Sequence, residues 1–205
     1  MNKEKPIIFS TESVKTILDG RKTQTRRVIK HTDGTLPQSR ESIFYSNVRQ
    51  KYHVGDILYV KETYHPFCWM DVMKPKKERL THDIEYKEDY IRNNAGNEFD
   101  VKWSSPLFMP RKYARIFLKV TDIRVERLQD ISPSEAIREG VNKYDVYEDG
   151  RFFAYQDYSQ KACNRFQGCV SPVGSYQTLW DSINLAKGFG WNSNPYVWVV
   201  EFERI

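Results

Sequence analysis

The run Tyr196-Val197-Trp198-Val199-Val200-Glu201-Phe202 constrains the fold more than any other stretch of this chain. Tyr196, Trp198, Val200 and Phe202 occupy one parity of a strand, and Val197 and Val199 the other. Side chains of a strand alternate between its two faces, so this strand is apolar on both. Such a strand sits centrally in a sheet that is covered on both sides or closed on itself. A second strand region runs from Tyr113 to Leu128. There Ile116, Leu118 and Val120 share a parity, and Ile123 and Val125 continue it shifted by one. The shift predicts a β-bulge or a tight turn near Thr121-Asp122. Ile7 to Phe9, and Ile57 to Glu62 after the Gly55-Asp56 turn, read as further strands.

Short helices separate these strands. Ser10 or Thr11 caps a helix whose apolar residues Val14, Ile17 and Leu18 fall at i, i+3 and i+4, and Gly20 ends it. Ser132-Pro133-Ser134-Glu135 is a capping box with proline at the first helical position, and Gly140 stops that helix after about two turns. Tyr176, Leu179, Trp180 and Ile183 form a helical stripe of core-packing type. Residues 31 to 50 are polar and loop-like. Residues 65 to 112 and 142 to 175 lack periodicity and read as long insertions or lids on a compact domain. The basic run Lys74-Pro75-Lys76-Lys77 reads as a solvated loop. A chain of 205 residues that is 40% hydrophobic supports one core, so the expectation is a single α+β domain over 1–205. Its architecture is expected to be a small β-barrel with short helices at its ends.

Several function classes are disfavoured. Cys68, Cys163 and Cys169 form no CxxC pair, and His31, His53, His65 and His82 lack metal-ligand spacing. The expectation is a reduced, cytoplasmic protein with neither metal nor cofactor. No apolar run is long enough to span a membrane, and the Pro6 to Phe9 segment is too short for a signal peptide. Lys and Arg outnumber Asp and Glu by 32 to 27, a mild basic excess compatible with a polyanionic partner.

The chemistry concentrates in Asp19-Gly20-Arg21-Lys22-Thr23-Gln24-Thr25-Arg26-Arg27, where four cations and two hydroxyls follow the first helix. A lysine crowded by arginines loses its proton more readily, which suits a base or nucleophile. The same cations would attract phosphate. Arg21 and Lys22 also have a structural explanation, because cations are favourable at a helix C-terminus. Glu135 and Glu139 stand at i and i+4 on the short helix. Glu135 serves the capping box; Glu139 in the last turn opposes the helix dipole, so it is either functional or a solvated surface acid.

Four segments together resemble the ASCH family of the PUA-like superfamily, especially its longer phage and prophage members. They are Ile17-Leu18-Asp19-Gly20-Arg21-Lys22-Thr23-Gln24-Thr25-Arg26-Arg27, Gly55-Asp56-Ile57-Leu58-Tyr59-Val60-Lys61-Glu62, the strand leading into Ser134-Glu135-Ala136-Ile137-Arg138-Glu139-Gly140, and Val199-Val200-Glu201-Phe202. Their order matches the family, and they cover about half the chain. The two long excursions have no counterpart in the shortest members. The resemblance implies a PUA-like barrel. The family includes small bacterial amidohydrolases that remove the acetyl group from N4-acetylcytidine with a Lys, Thr and Glu triad. By motif these fall on Lys22, Thr25 and Glu139 of this chain: Lys22 as base, Thr25 as nucleophile, Glu139 as proton relay. On a regular strand residues three apart point to opposite faces, so Lys22 and Thr25 converge only if the chain turns just after Gly20.

Two other readings stand beside this one. A module that binds RNA or modified nucleic acid would use Arg21, Lys22, Arg26 and Arg27 on phosphates, with Tyr64, Trp69 or Trp103 stacking on bases. A ribonuclease is a variant of that reading, weakened by the lack of paired histidines. A structural protein of a phage particle is the third, without a coiled-coil or repeat pattern to support it. Glu62 either lines the site or is an exposed strand-end acid. The oligomeric state is not legible.

Overall fold

The computed structural model describes residues 4–45, 48, 50–65, 84–93, 102–145, 153–160 and 168–205. Trp69, Cys68, Cys163, His82 and the 74–77 basic run lie outside the described residues. The chain mixes helix and strand, and its largest sheet has five strands: β1 (Glu4–Ile8), β2 (Gln24–Val28), β3 (Ile57–Lys61), β6 (Phe117–Arg127) and β9 (Tyr196–Arg204). Their order is β1-β3-β6-β9-β2. β1 and β3 are parallel; β3 with β6, and β2 with β9, are antiparallel.

The chain divides into two compact units. The first comprises residues 1–19, 55–119 and 203–205; the second comprises 20–54 and 120–202.

In the first unit, α1 (Thr11–Leu18) starts at Ser10, whose hydroxyl accepts from the Ser13 amide. Val14 and Ile17 face the interior with Ile7, Leu58, Val60, Met109 and Leu118. The excursion expected over 65–112 carries ordered elements where it is described: β4 (Tyr64–His65) pairs with β5 (Glu85–Tyr86), which leads into α3 (Lys87–Asn93). Two 3-10 turns, Pro106–Phe108 and Arg111–Tyr113, follow.

In the second unit, α4 (Pro133–Arg138) has the full capping box: Ser132 accepts from the Glu135 amide while the Glu135 carboxylate accepts from the Ser132 amide. α5 (Pro172–Asn184) begins four residues before the apolar stripe, capped by Ser171. Tyr176 and Trp180 are buried as expected, but Ile183 is exposed. They join Leu128, Ile131, Ala136, Val141, Tyr155, Val197 and Val199 in one apolar cluster. Two elements were not anticipated: α2 (Arg40–Tyr45) within the polar stretch, and the hairpin of β7 (Lys143–Asp145) and β8 (Phe153–Tyr155) within the second excursion.

β6 is one unbroken strand through Thr121-Asp122, so no turn interrupts it there. β9 is buried on both parities, with Val197 and Val199 on one and Val200 and Phe202 on the other. That is the central, doubly covered strand its composition predicts.

Candidate active site

The second unit assembles the site from two chain reversals. α1 stops at Gly20, which has φ +73°, a conformation that L side chains rarely adopt. The next residues turn toward the end of α4: the Thr23 amide donates to the Arg138 carbonyl at 2.9 Å. α4 in turn stops at Gly140, with φ +90°. Lys22 and Glu139 each stand beside one of these stops.

They meet there. Lys22 Nζ lies 2.6 Å from the Glu139 carbonyl oxygen and 2.9 Å from Glu139 Oε2. Both side chains are almost wholly buried, at 4% and 3% exposure. Glu139 is therefore not a solvated surface acid; two cations offset its position at the helix end. The second is Arg26, whose Nη1 donates to Glu139 Oε1 at 3.1 Å. Burial pushes the Lys22 ammonium below the usual lysine range, and Arg27 and Arg26 push the same way. The charge and hydrogen bond of Glu139 oppose this without cancelling it.

Strand alternation decides which β2 residues join. Arg26 stands opposite Val199 and Thr25 opposite Val200. Val199 belongs to the cluster with Tyr176, Trp180 and Ala136, so Arg26 takes the face covered by α4 and α5. Gln24 shares it, and its Nε2 donates to the Glu135 carbonyl at 3.1 Å. Thr25 takes the opposite face and is also buried. Lys22 precedes the strand and is not bound by its alternation.

Arg26 is itself enclosed. Its Nη2 reaches Glu126 Oε2 at 3.0 Å and Glu135 Oε1 at 3.4 Å. Arg124 binds Glu126 and Glu135 from the other side and also reaches Glu201, which accepts from Arg138 at 3.3 Å. The Arg26 guanidinium sits 6.0 Å from the centre of the Tyr176 ring. Burial, and then the Glu139 charge, push the Tyr176 phenol well above its usual value, so it stays neutral. Gln24 Oε1 and Arg26 Nε are buried with no hydrogen-bond partner among the described residues.

No family model, curated protein or solved structure matches this chain.

The remaining expected site residues do not join the Lys22–Glu139–Arg26 cluster, although Arg27 is near enough to act on the Lys22 charge. Arg21 is exposed and donates to Asn142 Oδ1 at 2.9 Å; Arg27 is half-buried. Glu62 and Tyr64 belong to the first unit. Glu62 is not an exposed strand-end acid: its side chain is 2% exposed, and Arg115 grips both oxygens at 2.9 and 3.0 Å. Burial raises its carboxyl above the usual range, and the Arg115 fork does not fully offset this. Tyr64 is buried, and its hydroxyl donates to the Phe108 carbonyl. Trp103 packs edge-on against Tyr90 and His65. A separate cleft of about 780 Å³ in this unit has mixed charge, including Lys15, Lys87, Glu88 and Arg92.

Sequence reasoning missed Tyr176, Glu126 and Arg124 as neighbours of the site. Tyr176 packs in the core, as its helical stripe predicts, and also borders the site. Among the described residues no group of three or more His, Cys, Asp or Glu is arranged to hold a metal ion, and no helix is long and apolar enough to cross a membrane.

Proposed function

We propose that this chain is an amidohydrolase acting on N-acylated nucleosides or nucleobases of the N4-acetylcytidine type. One observation carries the reading: Lys22 and Glu139, 117 residues apart and paired by motif alone, are in hydrogen-bonding contact in a buried setting. A desolvated lysine close to losing its proton is a suitable general base. Neutral Lys22 takes a proton from an attacking water as its oxygen adds to the acyl carbon. The resulting ammonium returns that proton to the leaving amine as the carbon–nitrogen bond breaks, releasing the acid, and Glu139 orients and stabilises it meanwhile. Thr25, the nucleophile that the family resemblance implies, lies on the opposite face of β2 from Arg26 and Glu139. On this reading the five-stranded sheet belongs to a PUA-like barrel, and the protein works in the cytoplasm.

The geometry speaks less for a phosphate-binding role. Lys22 and Arg26 are buried and neutralised by carboxylates, so of the four clustered cations only Arg21 and Arg27 have solvent-exposed surface to offer a polyanion. The test is hydrolysis of a panel of N-acylated nucleosides, N4-acetylcytidine included, by the wild type and Lys22→Met. Turnover lost in the variant supports the proposal. An inert wild type that binds RNA with strong salt dependence replaces it with the RNA-binding reading.

A further inference from the structure

We propose that Arg26 is the positioning residue of this site: by occupying one carboxylate oxygen of Glu139 it leaves Lys22 only the other, and so weakens the hold of Glu139 on the lysine. The inference rests on the reading of Lys22 and Glu139 as an acid–base pair. A lysine with a carboxylate to itself is held in its charged form, whereas a carboxylate shared with a permanent cation holds it less firmly. Arginine is such a cation, since it keeps its proton throughout the accessible range.

The geometry uses both ends of the arginine fork. Its planar fork places Nη1 on Glu139 Oε1 while Nη2 spans Glu126 and Glu135. Those two acids are pinned in turn by Arg124. Arg26 therefore cannot swing away from Glu139, and its side chain is completely buried. The charged groups around Lys22 are Glu139, Arg26 and Arg27; Tyr176 lies beneath Arg26, neutral and influenced by Glu139, and Glu126 and Glu135 lie on the far side of the guanidinium.

The test is a titration of the Lys22 ε-methylene by NMR on lysine-labelled protein, assigned with Lys22→Met, alongside the pH dependence of kcat/KM. Arg26→Gln is expected to move the Lys22 midpoint up by about one pH unit, with the acid limb of the rate profile moving in step and turnover at neutral pH falling about tenfold. Arg26→Lys, which restores a cation, is expected to return both toward the wild type. A folded Arg26→Gln chain with an unmoved Lys22 midpoint overturns the proposal. If Arg26→Gln does not fold, Glu126→Gln is the second probe: it removes one of the two carboxylates on Nη2, strengthens the hold of Arg26 on Glu139 and lowers the midpoint, and an unmoved or raised midpoint overturns the proposal. If the wild type turns nothing over, the amidohydrolase reading fails by itself, and the titration still decides the role of Arg26.

Discussion

Lys22 holds Glu139 at two points, the backbone carbonyl and the carboxylate, at 2.6 and 2.9 Å. The ammonium is thereby tied to the end of α4 as well as to a side chain. The carboxylate can exchange a proton or shift toward Arg26 while the carbonyl still fixes the lysine. A buried ion pair is weak evidence of stability for its own sake, so its members can be separated by their effects.

Removing the two partners should have unequal consequences. Lys22→Met leaves Glu139 paired with Arg26 and fills the space with a side chain of similar length. Glu139→Gln leaves two buried cations facing each other without their anion. We expect Glu139→Gln to lose about 3–5 kcal/mol and Lys22→Met much less. Urea unfolding of the three proteins measures this, and equal losses would mean that the triad does not share its charge as described.

Stability should depend on pH through Lys22. Its folded value is lowered, so the unfolded chain binds more protons between the folded value and 10.5. The wild type should therefore gain stability relative to Lys22→Met as pH rises through that window. Below the folded value the burial penalty is present in full, and the difference becomes constant. Denaturant midpoints of both proteins across the alkaline range, compared pairwise, give the sign directly.

Thr25 offers a test of the nucleophile. Thr25→Val keeps the shape and removes the hydroxyl; Thr25→Ser keeps the hydroxyl. Because Thr25 faces away from Arg26 and Glu139, Thr25→Val is expected to keep turnover close to wild type. A loss of about a thousandfold or more in Thr25→Val that Thr25→Ser partly restores, with an acyl-enzyme caught by rapid quench, would instead make Thr25 the nucleophile.

Gly20 should be sensitive despite its empty surroundings. A Cβ there meets nothing within 4 Å, yet φ is +73°. Gly20→Ala is expected to lose about 1 kcal/mol from backbone strain alone. Because this turn aims Lys22 at Glu139, turnover should fall by more than the stability change explains. Thermal melts and kcat/KM for the same variant separate the two effects.

Local signals in the chain proved readable one by one. The capping box at Ser132, the stop at Gly20 and the two-faced run of β9 each rest on a few adjacent residues, and each is present in the structure. The earlier start of α5 went unread, although Ser171-Pro172 repeats the Ser132-Pro133 pattern that opens α4. The exposure of Ile183 was not, because a helical stripe tells which residues share a face but not how far the covering layer extends.

The candidate site divides along the same line. Sequence alone placed Lys22 and Glu139 beside two helix stops and marked the basic cluster, conclusions that depend on short spacings and on the chemistry of single side chains. Thr25 came only from the family resemblance. Tertiary structure decided that Glu139 is buried, that Arg26 shares it, and that Thr25 faces the other way. It also decided that Glu62 is sealed by Arg115, 53 residues away. The reason is physical. Alternation along β2 fixes which residues share a face, but only the register with β9 and the packing of α4 and α5 determine what that face meets. The charge a buried group carries is then set by neighbours 100 or more residues distant.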